Sequence, residues 1–101
     1  MPKRIKVPYY AKLVARQGLI ERERNNAGLT KSQASKLGIV SGVERARQII
    51  RNKYIKEKDL RSMARFYLRF RNQRTPRTET AIRLWGGRRF LSLLVKIYYP
   101  K

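Results

Sequence analysis

Six carboxylates are set against 26 Lys and Arg in this 101-residue chain, which has no histidine and no cysteine. Without imidazole or thiol there is no zinc finger, no iron–sulfur site, no disulfide framework, and no histidine base or cysteine nucleophile. The acids are Glu21, Glu23, Glu44, Glu57, Asp59 and Glu79. Glu57 and Asp59 stand two apart, a spacing that on a helix sends them to different sides. A Mg²⁺-dependent nuclease needs such acids to converge on one ion, and this spacing does not indicate it. The sequence therefore predicts no enzyme, no cofactor and no metal site. Its available chemistry is that of a formal net charge of +20, which is the binding of polyanion: nucleic-acid phosphate or acidic protein.

The cations fall into patterns. Arg61, Arg65 and Arg69, with Gln73, step by four and form a line along a helix, suited to successive phosphates. Phe66 and Phe70 run beside them, either as stacking platforms for unpaired bases or, the favoured alternative, as a second core face. Lys3, Arg4 and Lys6 belong to a basic segment, residues 1–7, read as a flexible arm for a minor groove or along RNA. Arg88 and Arg89 follow Gly86-Gly87. With no Gly-Lys-Ser/Thr ending and no preceding strand, this is a hinge with phosphate contacts and not a nucleotide loop.

A further constellation spans residues 30–51. Thr30-Lys-Ser-Gln33 and Ser41-Gly-Val-Glu44 have the spacing of capping boxes, predicting a short helix over 31–37 and another over 41–51. Between them Ala34-Ser-Lys-Leu-Gly38-Ile39 resembles the turn of a helix-turn-helix: a small residue for close contact, then a glycine for the turn. The second helix would offer Glu44, Arg45, Arg47 and Gln48 to base edges or phosphates, with Arg51 at its end and Lys31 on the preceding helix as further nucleic-acid contacts. The position where the motif has an apolar residue holds Glu44, with Val43 one place early, so two simply crossed helices remain the alternative.

These groups need a scaffold. At this length roughly 6,000 Å² of folded surface would replace about 17,000 Å² in the unfolded chain, enough for one small core. The 42% hydrophobic content, including ten aromatics, is too high for a disordered basic tail. Tyr10, Leu13, Val14 and Ile20 predict a first helix over 9–24, with Gly18 as its weak point. Leu60, Met63, Ala64, Tyr67 and Leu68 predict a strongly periodic helix over 57–73. Thr75-Pro76 interrupts it, after which Thr78 or Thr80 would cap a helix bearing Ala81, Ile82, Leu84 and Trp85, ended by Gly86-Gly87.

Residues 88–99 are apolar on most sides. They predict a core helix or an interface with another chain through Phe90, Leu91, Leu94 and Tyr98, with a strand over 93–99 as the alternative. The fold class expected is all-α: a single-domain bundle of five or six short helices over 8–101, with the arm preceding it.

From Ser41 onward the chain resembles small basic helical proteins and domains encoded by tailed phages and prophages. The matching features are Ser41-Gly-Val-Glu-Arg-Ala-Arg47, the aromatic and basic run Met63 to Phe70, and Ala81-Ile-Arg-Leu-Trp-Gly-Gly87. The Val7-Pro-Tyr-Tyr-Ala-Lys12 opening is similar too. Arg51-Asn-Lys-Tyr54 and Arg88-Arg89-Phe90 depart from the group, which tends to glycine there. The resemblance implies a phage-related helical module with a DNA-handling or virion role.

Nucleic acid is thus the expected partner, duplex DNA before RNA. Subunits of a virion or other assembly come second, a ribosomal-type RNA scaffold third, and a homo-oligomer is compatible with each. The opening has two prolines and no apolar run of signal-peptide length. The longest apolar stretch, broken by Lys96, is half a membrane span. The expected location is the cytoplasm of a bacterial host, or the virion.

Overall fold

Between residue types and architecture the first surprise is the basic N-terminal segment, which pairs as a strand. The computed structural model describes residues 2–25 and 42–100. Along the chain run β1 (Arg4–Lys6), α1 (Tyr9–Asn25), α2 (Gly42–Arg51), β2 (Tyr54–Lys56), α3 (Glu57–Phe70), α4 (Pro76–Leu84) and α5 (Arg88–Tyr98). The described chain is a small all-α bundle of five helices with one two-stranded ribbon. α3 packs on α5, α1 lies against α2 and α4, and the ribbon rests on α3. The helix expected over 31–37, the turn of the helix-turn-helix-like unit, and Lys31 lie outside the described residues.

β1 and β2 pair antiparallel, Arg4 opposite Lys56, Ile5 opposite Ile55 and Lys6 opposite Tyr54. The pairing extends on both sides: the Val7 N–H donates to the Lys53 carbonyl at 2.9 Å and the Glu57 N–H to the Lys3 carbonyl at 2.7 Å. The segment expected as a flexible arm is therefore a docked strand. Its alternation explains why: Ile5, Val7 and Ile55 point inward and join the core, Val7 and Ile55 fully buried and Ile5 packed against them. Tyr98 of α5 also donates its hydroxyl to the Pro2 carbonyl at 2.8 Å.

In α3 the i, i+3, i+4, i+7 positions Leu60, Met63, Ala64 and Tyr67 are buried, as the periodicity predicts. The helix ends at Phe70, with the Arg71 N–H on the Tyr67 carbonyl, three residues before the predicted end. α4 starts at Pro76, and its cap is Thr75, whose hydroxyl accepts from the Thr78 N–H at 3.1 Å. Thr78 and Thr80, the predicted caps, are buried inside the helix. Proline lacks an N–H and has a helical φ, so it occupies the first turn and leaves the cap to its predecessor. α5 is helical throughout, with no strand over 93–99.

α1 keeps part of the predicted face: Tyr10 and Val14 are half-buried, Tyr10 packed against the core, whereas Leu13 and Ile20 are 46% and 55% exposed. The fully buried positions are the small residues Ala11, Ala15 and Gly18, and Tyr9 is 67% exposed. Small side chains let the α1 backbone approach its neighbours closely. A Cβ at Gly18 would stand 2.7 Å from the Leu84 nitrogen and 3.1 Å from the Arg83 carbonyl carbon, so the expected weak point is the contact with α4. Lys12 fixes the other side: its Nζ donates to the carbonyls of Ile49, Ile50 and Asn52 at 2.8, 3.0 and 2.7 Å. These carbonyls close the C-terminus of α2, where intrahelical donors have run out and a cation is favoured.

Replacing Gly18 with Ala gains about 1 kcal/mol of helix propensity, against about 1–3 kcal/mol for crowding a wall that cannot rotate away. The expected net result is a lower melting temperature by circular dichroism; an unchanged or higher one would mean that α1 and α4 are not in close contact.

Candidate nucleic-acid interface

The scarce acids are placed first, because they decide which cations are left over. Glu21 takes Arg83 on both carboxylate oxygens, at 2.6 and 2.9 Å. Glu57 takes Arg61 one turn on at 2.7 Å, and Glu79 takes Arg88. Asp59 faces Arg45 at 3.4 Å. Four of the six carboxylates are thus paired, three of them across elements of the fold and Glu57 within α3. Arg88 also donates to the Arg71 carbonyl at 2.9 Å. It holds the Glu79 carboxyl below its ordinary range, the hydrogen bond being the largest cause. Gly86 and Gly87, at φ of 107° and 90°, make the sharp bend that brings Arg88 there.

Arg45, predicted as a base or phosphate contact, is 1% exposed. Its guanidinium lies 4.7 Å from the centroid of Trp85, and its Nη1 donates to Gln48 Oε1 at 2.5 Å. Gln48 in turn donates to Asp59 Oδ2 at 3.0 Å. Burial lowers the proton affinity of Arg45, and Asp59 opposes that effect. Two of the predicted readers, Arg45 and Gln48, are therefore occupied internally: α2 turns Arg45 inward because Asp59 and Trp85 supply a counter-charge and a π face.

Of the other candidates, Arg47 and Arg51 are exposed one turn apart on α2 and border a shallow cleft of about 380 Å³ with Glu44, Gln48 and Asn52. On α3, Arg65 is exposed and donates to the Tyr99 hydroxyl at 3.0 Å. Arg69 is exposed, 5.4 Å from the Phe70 ring. Arg61 is half-buried, beside Glu57 and 5.2 Å from the Tyr98 ring. Arg89 is exposed and stacks on Tyr10 at 4.1 Å. Phe66 is core, stacked on Trp85 at 4.1 Å.

Phe90, Leu91, Leu94 and Tyr98, predicted as an interface, are at most 2% exposed. Their spacing puts them on one face of α5, and that face is filled by this chain's own α3.

The ribbon gathers the densest group. Lys3, Arg4 and Lys6 are exposed; across from them stand Lys53, just before β2, and Tyr54 and Lys56 within it, all exposed and none predicted as contacts. The signal is short: Tyr54-Ile-Lys56, like Arg4-Ile-Lys6, sets one inward residue between two outward ones, and taken alone it reads as a loop between helices. Among the described residues, no group of three acids is placed to hold a metal. Comparison with family models, characterised proteins and solved structures finds no match to this chain.

Two outcomes test these pairs. Arg45→Ala leaves Asp59 without its cation and Trp85 without its cover, and is expected to cost about 3–5 kcal/mol in denaturant unfolding; Arg45→Met combined with Asp59→Asn should cost much less. A loss no larger than that of Arg47→Ala would remove Arg45 from the core. For Glu79, a carboxyl with a depressed folded pKa stabilises fully above its ordinary value and loses that contribution as pH falls through the folded value. Glu79→Gln should therefore melt below the wild type at neutral pH, with the gap closing under acid; a gap constant to pH ~2 would contradict the pair.

Proposed function

We propose that this protein is a non-enzymatic nucleic-acid-binding protein that engages phosphates through outward Lys and Arg, in the phage-related setting its sequence resembles. The observation that carries this reading is the allocation of charge. Most carboxylates are held in internal ion pairs, while Arg4, Lys6, Lys56, Arg47 and Arg51 project to solvent with no ion pair among the described residues. A surface of one sign is costly to the isolated fold and favourable beside polyanion. With Arg45 and Gln48 engaged internally, α2 contributes phosphate contacts and not base readout, which weakens the case for a recognition helix in duplex DNA. The host cytoplasm or the virion is the location this reading fits. No described helix is long and apolar enough to cross a membrane.

A second reading, a structural component of a virion or comparable assembly, draws support from Tyr9, Leu13 and Ile20. These stand exposed on α1 and give it an apolar stripe that the described fold does not cover.

Fluorescence anisotropy against salt tests the first reading. Neutralising 6–10 phosphates makes affinity fall by about 10³–10⁵ between 50 and 200 mM salt. Arg47→Gln with Arg51→Gln is expected to weaken binding alike across sequences and to reduce the salt slope by about two. Selective loss on one sequence would restore the groove-reading helix, and affinity indifferent to salt would overturn the nucleic-acid reading.

A further inference from the structure

The ribbon has two unlike faces. Register puts Ile5, Val7 and Ile55 on the side that packs against the core. Arg4, Lys6, Tyr54 and Lys56 alternate with them and are all exposed. Glu57, the one acid in the paired segments, is half-buried and bonded to Arg61. The outer face is therefore three cations around one tyrosine.

Its pairing is electrostatically unfavourable on its own. The bonds from Val7 to Lys53 and from Glu57 to Lys3 mark those pairs as the hydrogen-bonded ones. By alternation, Arg4 opposite Lys56 and Lys6 opposite Tyr54 are non-hydrogen-bonded pairs, in which side chains come closest. Like charges directly opposite destabilise a ladder. Arg4 turns aside onto the Tyr54 ring, its guanidinium 4.5 Å from the centroid, and Lys53 approaches the same ring at 5.8 Å. Nothing else in the ribbon relieves the repulsion, whereas a bridging phosphate would.

Tyr54 narrows the class of ligand. It is 41% exposed on a surface otherwise made of cations, so its ring contributes to no core. An aromatic face flanked by Lys and Arg is the arrangement that holds unpaired bases, the ring stacking on one base and the cations meeting the phosphates on either side. In a duplex each base is already stacked on its neighbours and offers no face to a ring lying on a sheet. Arg4 and Lys6 are about 7 Å apart along their strand, with Lys56 about 5 Å across, which places positive charge on more than one side of a stacked base.

We infer that the outer face of the ribbon is a binding surface for single-stranded nucleic acid, in which a base takes the place of the Arg4 guanidinium over the Tyr54 ring and Arg4, so released, joins Lys6 and Lys56 in holding the adjacent phosphates. This rests on the nucleic-acid reading above and specifies its ligand.

The test compares the full-length protein, wild type and variants, on a labelled oligo(dT) and on a duplex of equal length. Tyr54→Ala is expected to lower oligo(dT) affinity by about 5- to 150-fold and to lower the ratio of single-strand to duplex affinity. Tyr54→Phe, which keeps the ring, should retain that ratio. Arg4→Gln with Lys56→Gln should weaken both probes and flatten the salt dependence, with a thermal melt confirming that each variant folds. If Tyr54→Ala leaves the ratio unchanged, while the charge variant still weakens both probes, the single-strand inference is wrong and the nucleic-acid reading stands. If the wild type binds neither probe in a salt-dependent way, the nucleic-acid reading itself fails.

Discussion

A buried arginine is the contact on which the helix packing turns. Arg45 leaves α2 and meets Asp59 from the first turn of α3 and Trp85 at the end of α4. A lone charge at 1% exposure would be prohibitive. Asp59 makes it tolerable, and Asp59 is itself well placed, since the first turn of a helix favours an anion. Gln48 bridges the two, so position and orientation of the pair are both fixed. Trp85 is then covered by Arg45 on one side and stacked with Phe66 at 4.1 Å, and Phe66 leads on to Phe70 at 5.1 Å. Three helices thus meet at one ion pair and one indole. Such a pair adds less stability than an apolar substitute would, but it penalises every arrangement that separates its partners.

The same scarcity of acids shapes the rest of the molecule. With 26 cations and six carboxylates, most Lys and Arg must find something other than an anion or face water. Carbonyl groups take Lys12, which closes the end of α2. Aromatic rings take others, with Arg89 on Tyr10, Arg69 beside Phe70 and Arg4 on Tyr54. These contacts hold side chains without cancelling their charge. The positive field is left intact at the surface, where a polyanion can use it.

What the sequence revealed depended on the range of the interaction. The α3 stripe, the break at Gly86-Gly87 and the core role of Phe66 arise within a few turns of one helix, where period and residue type suffice. On α1 the periodicity locates Tyr10 and Val14 but not the contact itself, because the packing criterion there is smallness, at Ala11, Ala15 and Gly18, while Leu13 and Ile20 lie outward. Arg45 looked solvent-facing since its acid belongs to a different helix. The apolar run over 88–99 fits a core helix, an interface helix or a strand until α3 is in place against it. Of the candidate site, Arg4, Lys6, Arg47 and Arg51 were legible as exposed cations. Lys53, Tyr54 and Lys56 were not, because two three-residue strands from opposite halves of the chain carry no hairpin signal.

Docking of the ribbon changes what its charges can do. A free basic arm must be ordered when it binds, and each residue fixed costs about 1–2 kcal/mol of backbone entropy. Here that cost is met during folding: Ile5, Val7 and Ile55 seat the strands on the core, and Tyr98 holds the Pro2 carbonyl. Lys12, beneath the end of α2, fixes the chain just before β2 begins. The outward side chains therefore stand on a rigid support, and only their own rotamers remain to be ordered by a ligand. The register fixes the backbone positions of Arg4 and Lys56, so their side chains can only turn aside, as Arg4 does onto Tyr54. An anion placed between them would offset the repulsion that remains.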